Sequence, residues 1–344
     1  MAKNIVFCAD GTWNRPELTS STNVWKFFEY LPGEKSTTVI SPHMAVKAVI
    51  GQIAAYDDGV GADGLEAVRI VEGATGAGLA QKIQNGYRFI AEQYQPGDHV
   101  YLCGFSRGAY TVRSLGGMLT RCGLPRTETT TASLASEAYE VYRHHLADTT
   151  GQFRATYAVV DVLIDVIGVW DTVGALGIPL KLFDPVDHYL FRFEDTALHP
   201  NIRFGYHAVS IDEQRESFSP TLWNPREGVE QVWFPGVHSD VGGGYAEADL
   251  SNVALAWMLE KLSPHGVLFQ DGTFNSGSES IVKGNPLGPM HDSYKPPFLT
   301  VLGPSPRRIP SSAMLHRSVQ ARLADLALAY HPTNLPPEPR KYVH

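Results

Sequence analysis

Short apolar runs, each closed by glycine or aspartate, alternate along the chain with segments in which apolar residues recur at helical spacing. Runs of the first kind predict strands covered on both faces, as in a parallel sheet; segments of the second kind predict amphipathic helices. The run Ile5-Val6-Phe7-Cys8-Ala9 is wholly apolar and ends in the polar loop Asp10-Gly11-Thr12-Trp13-Asn14. Ser21 or Thr22 stands where a cap belongs, ahead of a helix carrying Val24, Trp25, Phe27 and Phe28. Residues 47–56 predict a second strand, closed by Asp57-Asp58-Gly59-Val60-Gly61. Leu79, Ile83, Tyr87 and Ile90 then share one helical face, and the turn Gln95-Pro96-Gly97-Asp98 leads into a strand over 99–105. Further helices are expected over 109–120, 134–145 and 318–329, and further strands over 163–170 and 232–234. Strands alternating with helices predict an α/β fold, a mostly parallel sheet flanked by helices.

Length and composition bound this picture. A chain of 344 residues can form one large domain or two smaller ones. A single domain over 1–344 is expected, with 178–218 either a cap or plain core. Residues 264–344 hold 12 of the 23 prolines and are expected to be a loop-rich C-terminal appendage. A formal net charge of −8 argues against nucleic acid as a partner, because binding its backbone needs a basic face. Cys8 and Cys103 lie in apolar strands and read as small buried hydrophobes. No run approaches the ~18 uncharged apolar residues of a membrane span, and the run at 5–9 is too short for a secretory signal. The expectation is therefore a cytoplasmic protein without an integral membrane segment; export without a signal peptide is the alternative. Composition leaves the oligomeric state open. No cofactor is expected. The order of glycines in Gly73-Ala74-Thr75-Gly76-Ala77-Gly78 departs from a dinucleotide loop, and Asp57-Asp58 lacks the ligand spacing of an EF-hand. His144 and His145 would point about 100° apart on a helix and so are poorly placed to share one ion.

The candidate chemistry sits at strand ends. Gly104-Phe105-Ser106-Arg107-Gly108 places a serine on a sharp strand-to-helix turn, where Gly104 and Gly108 remove side chains that would clash. Asp171 follows the 163–170 strand, and His238 follows the 232–234 strand in a glycine-rich loop, 65 and then 67 residues farther on. Serine, aspartate and histidine in that order match the chain order of an α/β-hydrolase triad. Such a hydroxyl needs an imidazole to take its proton, and the imidazole needs a buried carboxylate to hold its tautomer. His316 is the rival base and Asp240 the rival carboxylate. Asp171 as a helix cap and His238 as an ordinary loop histidine are the structural alternatives. The oxyanion donors are expected from the N–H of Arg107 and from Gly11 or Thr12, with Asp10 bracing that loop. Asp10, Asp240 and His238 together would instead suit a hard cation, giving a metal-dependent hydrolase. A non-catalytic binding or scaffold protein on the same fold is the third reading.

Several of these motifs belong together. Phe7-Cys8-Ala9-Asp10-Gly11-Thr12-Trp13-Asn14, Tyr56-Asp57-Asp58-Gly59-Val60-Gly61 and Gly104-Phe105-Ser106-Arg107-Gly108-Ala109-Tyr110 form the first part of the pattern. Gly168-Val169-Trp170-Asp171-Thr172-Val173-Gly174, Ile211-Asp212-Glu213-Gln214-Arg215 and Pro235-Gly236-Val237-His238-Ser239-Asp240-Val241-Gly242-Gly243-Gly244-Tyr245 complete it. Across about residues 5–262 the sequence resembles the α/β-hydrolase domain family that includes the type VI secretion phospholipase effectors. The resemblance implies a hydrolase of carboxylic esters, with lipid or phospholipid acyl esters or a small-molecule ester as substrate. It assigns nucleophile, carboxylate and base to Ser106, Asp171 and His238.

Overall fold

The wholly apolar N-terminal run lies at the centre of the sheet. In the computed structural model, β1 (Asn4–Ala9) pairs in parallel with β4 (Gln52–Asp57) on one side and β5 (His99–Phe105) on the other. The structure describes residues 2–11, 21–58, 76–126, 130–144, 147–157, 159–174, 197–275, 279–294 and 303–344. Beyond β5 the sheet continues in parallel through β6 (Ile164–Trp170), β7 (Ile202–Ser210), β8 (Val229–Phe234), β9 (Met314–His316) and β10 (Lys341–Val343). Beyond β4 it ends in two antiparallel strands, β3 (Met44–Val49) and β2 (Lys35–Thr37). The chain leaves β1 for one half of the sheet and returns to β5 in the other. The crevice between the carboxyl ends of β1 and β5 is thus a topological switch point, where open α/β sheets bind ligands.

The continuous apolar runs follow from cover on both faces. Along β1, Ile5, Phe7 and Ala9 join one core with α2 (Gly76–Gln93), α3 (Arg107–Cys122), α4 (Ala132–His144) and α5 (Ala147–Thr156). Val6 and Cys8 face the opposite core, built on α1 (Asn23–Tyr30) and α7 (Asp249–Leu262). A side chain such as Phe7, fully buried, contributes about 1.5–3 kcal/mol. All three cysteines are free and buried. The layered parallel sheet is α/β-hydrolase-like, as the sequence pattern predicts.

Four segments depart from the pattern. Residues 47–56 do not form one strand: Gly51, at φ 87°, turns the chain so that Val49 pairs with Gln52 in a β3–β4 hairpin. The stretch 178–218 is core over 202–210, where β7 lies buried between β6 and β8; residues 175–196, which hold most of its apolar side chains, lie outside the described residues. Arg203 and His207 break the apolar run that would have marked β7. The C-terminal segment is no appendage, since it adds β9, β10 and the short α8 (Arg317–Ala324) and builds its own apolar cluster with β7 and β8. Helix α5 escapes notice because Phe153 is its one buried residue.

Candidate active site

Ser106 stands alone between β5 and α3, with φ 57° and ψ −121°. A non-glycine residue held there costs about 1–3 kcal/mol, and such strain clusters at functional sites. The flanking glycines are obligatory. A Cβ on Gly104 would lie 2.5 Å from the Gly108 carbonyl oxygen, and one on Gly108 would lie 2.1 Å from that of Ala9. Packing α3 this tightly on the end of β1 is what forces the turn. The Ser106 N–H donates to the Trp170 carbonyl (3.1 Å), tying the elbow to the neighbouring strand.

Three side chains from three strand ends meet in one hydrogen-bonded row. The Ser106 Oγ lies 2.8 Å from His238 Nε2, and His238 Nδ1 lies 2.6 Å from Asp171 Oδ2. All three residues are buried. His238 opens α6 (His238–Gly242), and its ring is held between Phe105 (4.6 Å, 32°) and Phe218 (4.9 Å, 77°). Burial lowers the pKa of His238 against the opposing pull of Asp171 and Glu213. The network then assigns the tautomer: Nδ1–H donates to the carboxylate, and Nε2 accepts from the serine hydroxyl.

Asp171 also has a positive φ, 39°. Its Oδ1 accepts from the Ser210 N–H (2.9 Å) and Arg307 Nη1 (2.6 Å), and its Oδ2 accepts from Arg307 Nη2 (2.9 Å). Burial works to raise its pKa, but Arg307 and His238 outweigh burial and hold the carboxyl well below the usual range. Behind it, His207 Nε2 accepts from the Thr172 N–H at 3.0 Å; burial drives that imidazole down to about 3, so it stays a neutral acceptor. Glu213 lies behind the imidazole: it accepts from the His238 N–H (3.3 Å), from Arg215 and from the Ser293 hydroxyl.

The remaining predicted residues have other partners. Asp10 Oδ1 accepts from the Gly11 N–H (2.6 Å), and its Oδ2 accepts from the Thr22 and Tyr56 hydroxyls (2.5 and 2.6 Å). Asp10 thus joins the Gly11 N–H to the Thr22 and Tyr56 hydroxyls. The Gly11 N–H, however, is spent on that carboxylate rather than aimed at an oxyanion. Thr12 lies outside the described residues. Arg107 opens α3, where first-turn N–H groups point along the helix axis. Asp240 does not approach the imidazole of His238: it accepts from the Val237 N–H (3.0 Å), capping α6, and contacts His291 Nδ1 at 2.6 Å. Asp10, Asp240 and His238 are thus committed to separate partners, and no metal-ligand group of three is present among the described residues. His316 is stacked on Phe234 (4.5 Å) and bonded to Ser318 Oγ (2.8 Å), away from Ser106. Asp57 and Asp58 share the Lys82 ammonium. His144 pairs with Glu140, and His145 lies outside the described residues.

Arg307, His207, Ser210 and Ser293, which contact these side chains or their neighbours, carry no signal of it in the sequence. Glu213 carried a signal, lying within one of the recognised motifs, but nothing assigned it a role.

A family model for the catalytic domain of Tle1-like type VI secretion phospholipase effectors matches residues 3–261. The uncharacterized Saccharomyces cerevisiae protein YEL023C is 26% identical over 310 residues, covering 83% of this chain and 42% of that protein. An uncharacterized Pseudomonas aeruginosa protein of known structure aligns with TM-score 0.44 and 19% identity over 78% of this chain and 46% of that one. The Tle1 effector bound to the VgrG spike aligns with TM-score 0.40 and 17% identity over 72% of this chain and 52% of its own. Thermogutta terrifontis esterase 2 aligns with TM-score 0.36 and 13% identity over 78% and 86%. The chain spans about half the length of the yeast protein and of the first two structures.

Proposed function

Since the chain belongs to the Tle1-like phospholipase effector catalytic-domain family, we propose that it is a serine hydrolase cleaving carboxylic esters, with lipid acyl esters as the substrate class. The observation that carries this reading is the unbroken row from Ser106 Oγ through His238 to Asp171 Oδ2, with contacts of 2.8 and 2.6 Å. Ser106 Oγ attacks the ester carbonyl carbon as its proton passes to His238 Nε2. The tetrahedral oxyanion is met by the Arg107 N–H at the start of α3, where the helix dipole favours negative charge. Collapse breaks the bond to the alcohol, which leaves with the proton from His238. Water, deprotonated by the same imidazole, then releases the acid from the acyl-serine. Asp171 stays ionised throughout and stabilises the imidazolium. No helix among the described residues is long and apolar enough to cross a membrane.

Hydrolysis of p-nitrophenyl esters of increasing chain length tests this. The Ser106→Ala variant is expected to lose about 10³-fold or more in kcat, with a chelator changing nothing in the wild type. Full activity in that variant, or no hydrolysis of any ester by the wild type, would sink the reading.

A further inference from the structure

We propose that Arg307 is a positioning residue for this reaction, a fork that fixes which oxygen of Asp171 faces His238 and how much negative charge that oxygen presents. The proposal rests on the reading of Ser106, His238 and Asp171 as the catalytic row. Arg307 lies outside residues 3–261, in the segment Gly303-Pro304-Ser305-Pro306-Arg307-Arg308-Ile309-Pro310. Its side chain is 2% exposed and that of Asp171 is 0% exposed, so the pair is shielded from solvent. Each of the two terminal guanidinium nitrogens takes one carboxylate oxygen, and each has a second acceptor: Nη1 donates to the Ser210 carbonyl (2.8 Å) and Nη2 to the Phe218 carbonyl (2.6 Å). The segment is itself pinned. Asn334 Nδ2 donates to the carbonyls of Arg307 (3.1 Å) and Ile211 (3.0 Å), and the Ser305 N–H donates to Gln214 (2.8 Å). A planar fork held at both ends cannot rotate, so the carboxylate it grips cannot rotate either.

The chemistry follows from the shared oxygen. Oδ2 of Asp171 accepts at once from Arg307 Nη2 and from His238 Nδ1. The cation therefore withdraws part of the charge that would otherwise stabilise the imidazolium. Other charged groups surround the imidazole. Glu213, paired with Arg215, sits behind the His238 backbone, and Asp240 on α6 is tied to His291. From β7, His207 stays neutral, with Arg113 acting on it. With Arg307 gone, burial would still disfavour a protonated His238, but the cation's opposition to Asp171 and Glu213 would be lost. Protonated imidazole cannot accept the serine proton, so the acid limb of activity moves to higher pH.

Arg307→Lys and Arg307→Met test this in the full chain, with kcat/KM measured against pH and active sites counted with a fluorophosphonate. Arg307→Lys keeps the charge but loses the fork. Its kcat should fall about tenfold with KM within about twofold and the acid limb in place. Arg307→Met should lose about 10²–10³-fold in kcat per active site and show the limb displaced upward. Wild-type kcat in the lysine variant, or an unmoved limb with normal turnover per active site in the methionine variant, overturns the proposal. If the methionine variant does not fold, the kcat-against-KM split of the lysine variant decides alone. Failure of the catalytic reading looks different, because Ser106→Ala would then keep its activity. In that case the titration midpoint of His238 followed by nitrogen-15 histidine NMR still decides, and equal midpoints in wild type and Arg307→Met overturn the proposal.

Discussion

Asp10 and Asp171 occupy matching places on either side of the serine strand. One follows β1 and the other follows β6, the two neighbours of β5 in the sheet, and both are buried. Their surroundings differ in one respect that decides their chemistry. Among the described residues Asp10 is met by an amide N–H and two hydroxyls, all neutral, and burial pushes its pKa up to about 6 despite them. Asp171 is met by a guanidinium and an imidazole, and its carboxyl is held well below the ordinary range. Neutral donors only soften the desolvation of a buried carboxylate, whereas an adjacent cation reverses it. A base is oriented well by the second kind of carboxylate. A loop is braced adequately by the first.

Replacing the two carboxylates by amides breaks this comparison most directly. Asp171→Asn is expected to lower kcat by about 10⁴-fold, because the amide either presents its NH₂ to Nδ1 or holds the wrong tautomer. A loss smaller than about tenfold in steady-state ester hydrolysis would show that the imidazole does not depend on this carboxylate. Glu213→Gln is expected to have a smaller effect, below that of Arg307→Met as well. The Glu213 carboxylate accepts the His238 N–H and works to raise the imidazole pKa, so its neutral analogue should cost about tenfold in kcat. Its acid limb should move to lower pH, opposite in sign to the change expected for Arg307→Met. A pH–rate profile in which both variants move the same way would refute the charge argument.

The features legible in sequence were those whose cause is local. β1, β5 and β6 are apolar over their last several residues and stop at Asp10, Ser106 and Asp171, so a run of residues was enough to place three strand ends. The two glycines around Ser106 are legible for the same reason, since a backbone contact of 2.1–2.5 Å permits nothing larger. β7 was missed because a polar residue buried within it is satisfied from elsewhere: His207 accepts from the Thr172 N–H, a contact no periodicity encodes. Arg307 lies 136 residues from Asp171, in a proline-rich stretch without helix or strand signal. The Gly11 amide is a miss that local rules could have prevented. An aspartate commonly turns back on nearby N–H groups, and Asp10 takes the N–H directly after it.

Asp10→Asn should have the smallest effect on catalysis, within about tenfold, since Asp10 touches none of the reacting groups. Its signature lies in stability. With a folded pKa of about 6 against 3.8 in the unfolded chain, native Asp10 retains a proton that the unfolded chain has released. Stability from this group is complete below about pH 4 and is lost as pH rises through 6, a change of roughly 3 kcal/mol. Asparagine imitates the protonated acid: its oxygen can take the Gly11 N–H, while its amide can donate to a rotated Thr22 or Tyr56 hydroxyl. Urea unfolding of both proteins at pH 4 and pH 7 should therefore show the variant gaining on the wild type by up to that amount. Asp212, also raised to about 6, titrates in both proteins and cancels in the difference. Parallel stability curves would mean that Asp10 is already ionised at pH 4. The loop would then contain a compensating positive charge, and the contrast with Asp171 would disappear.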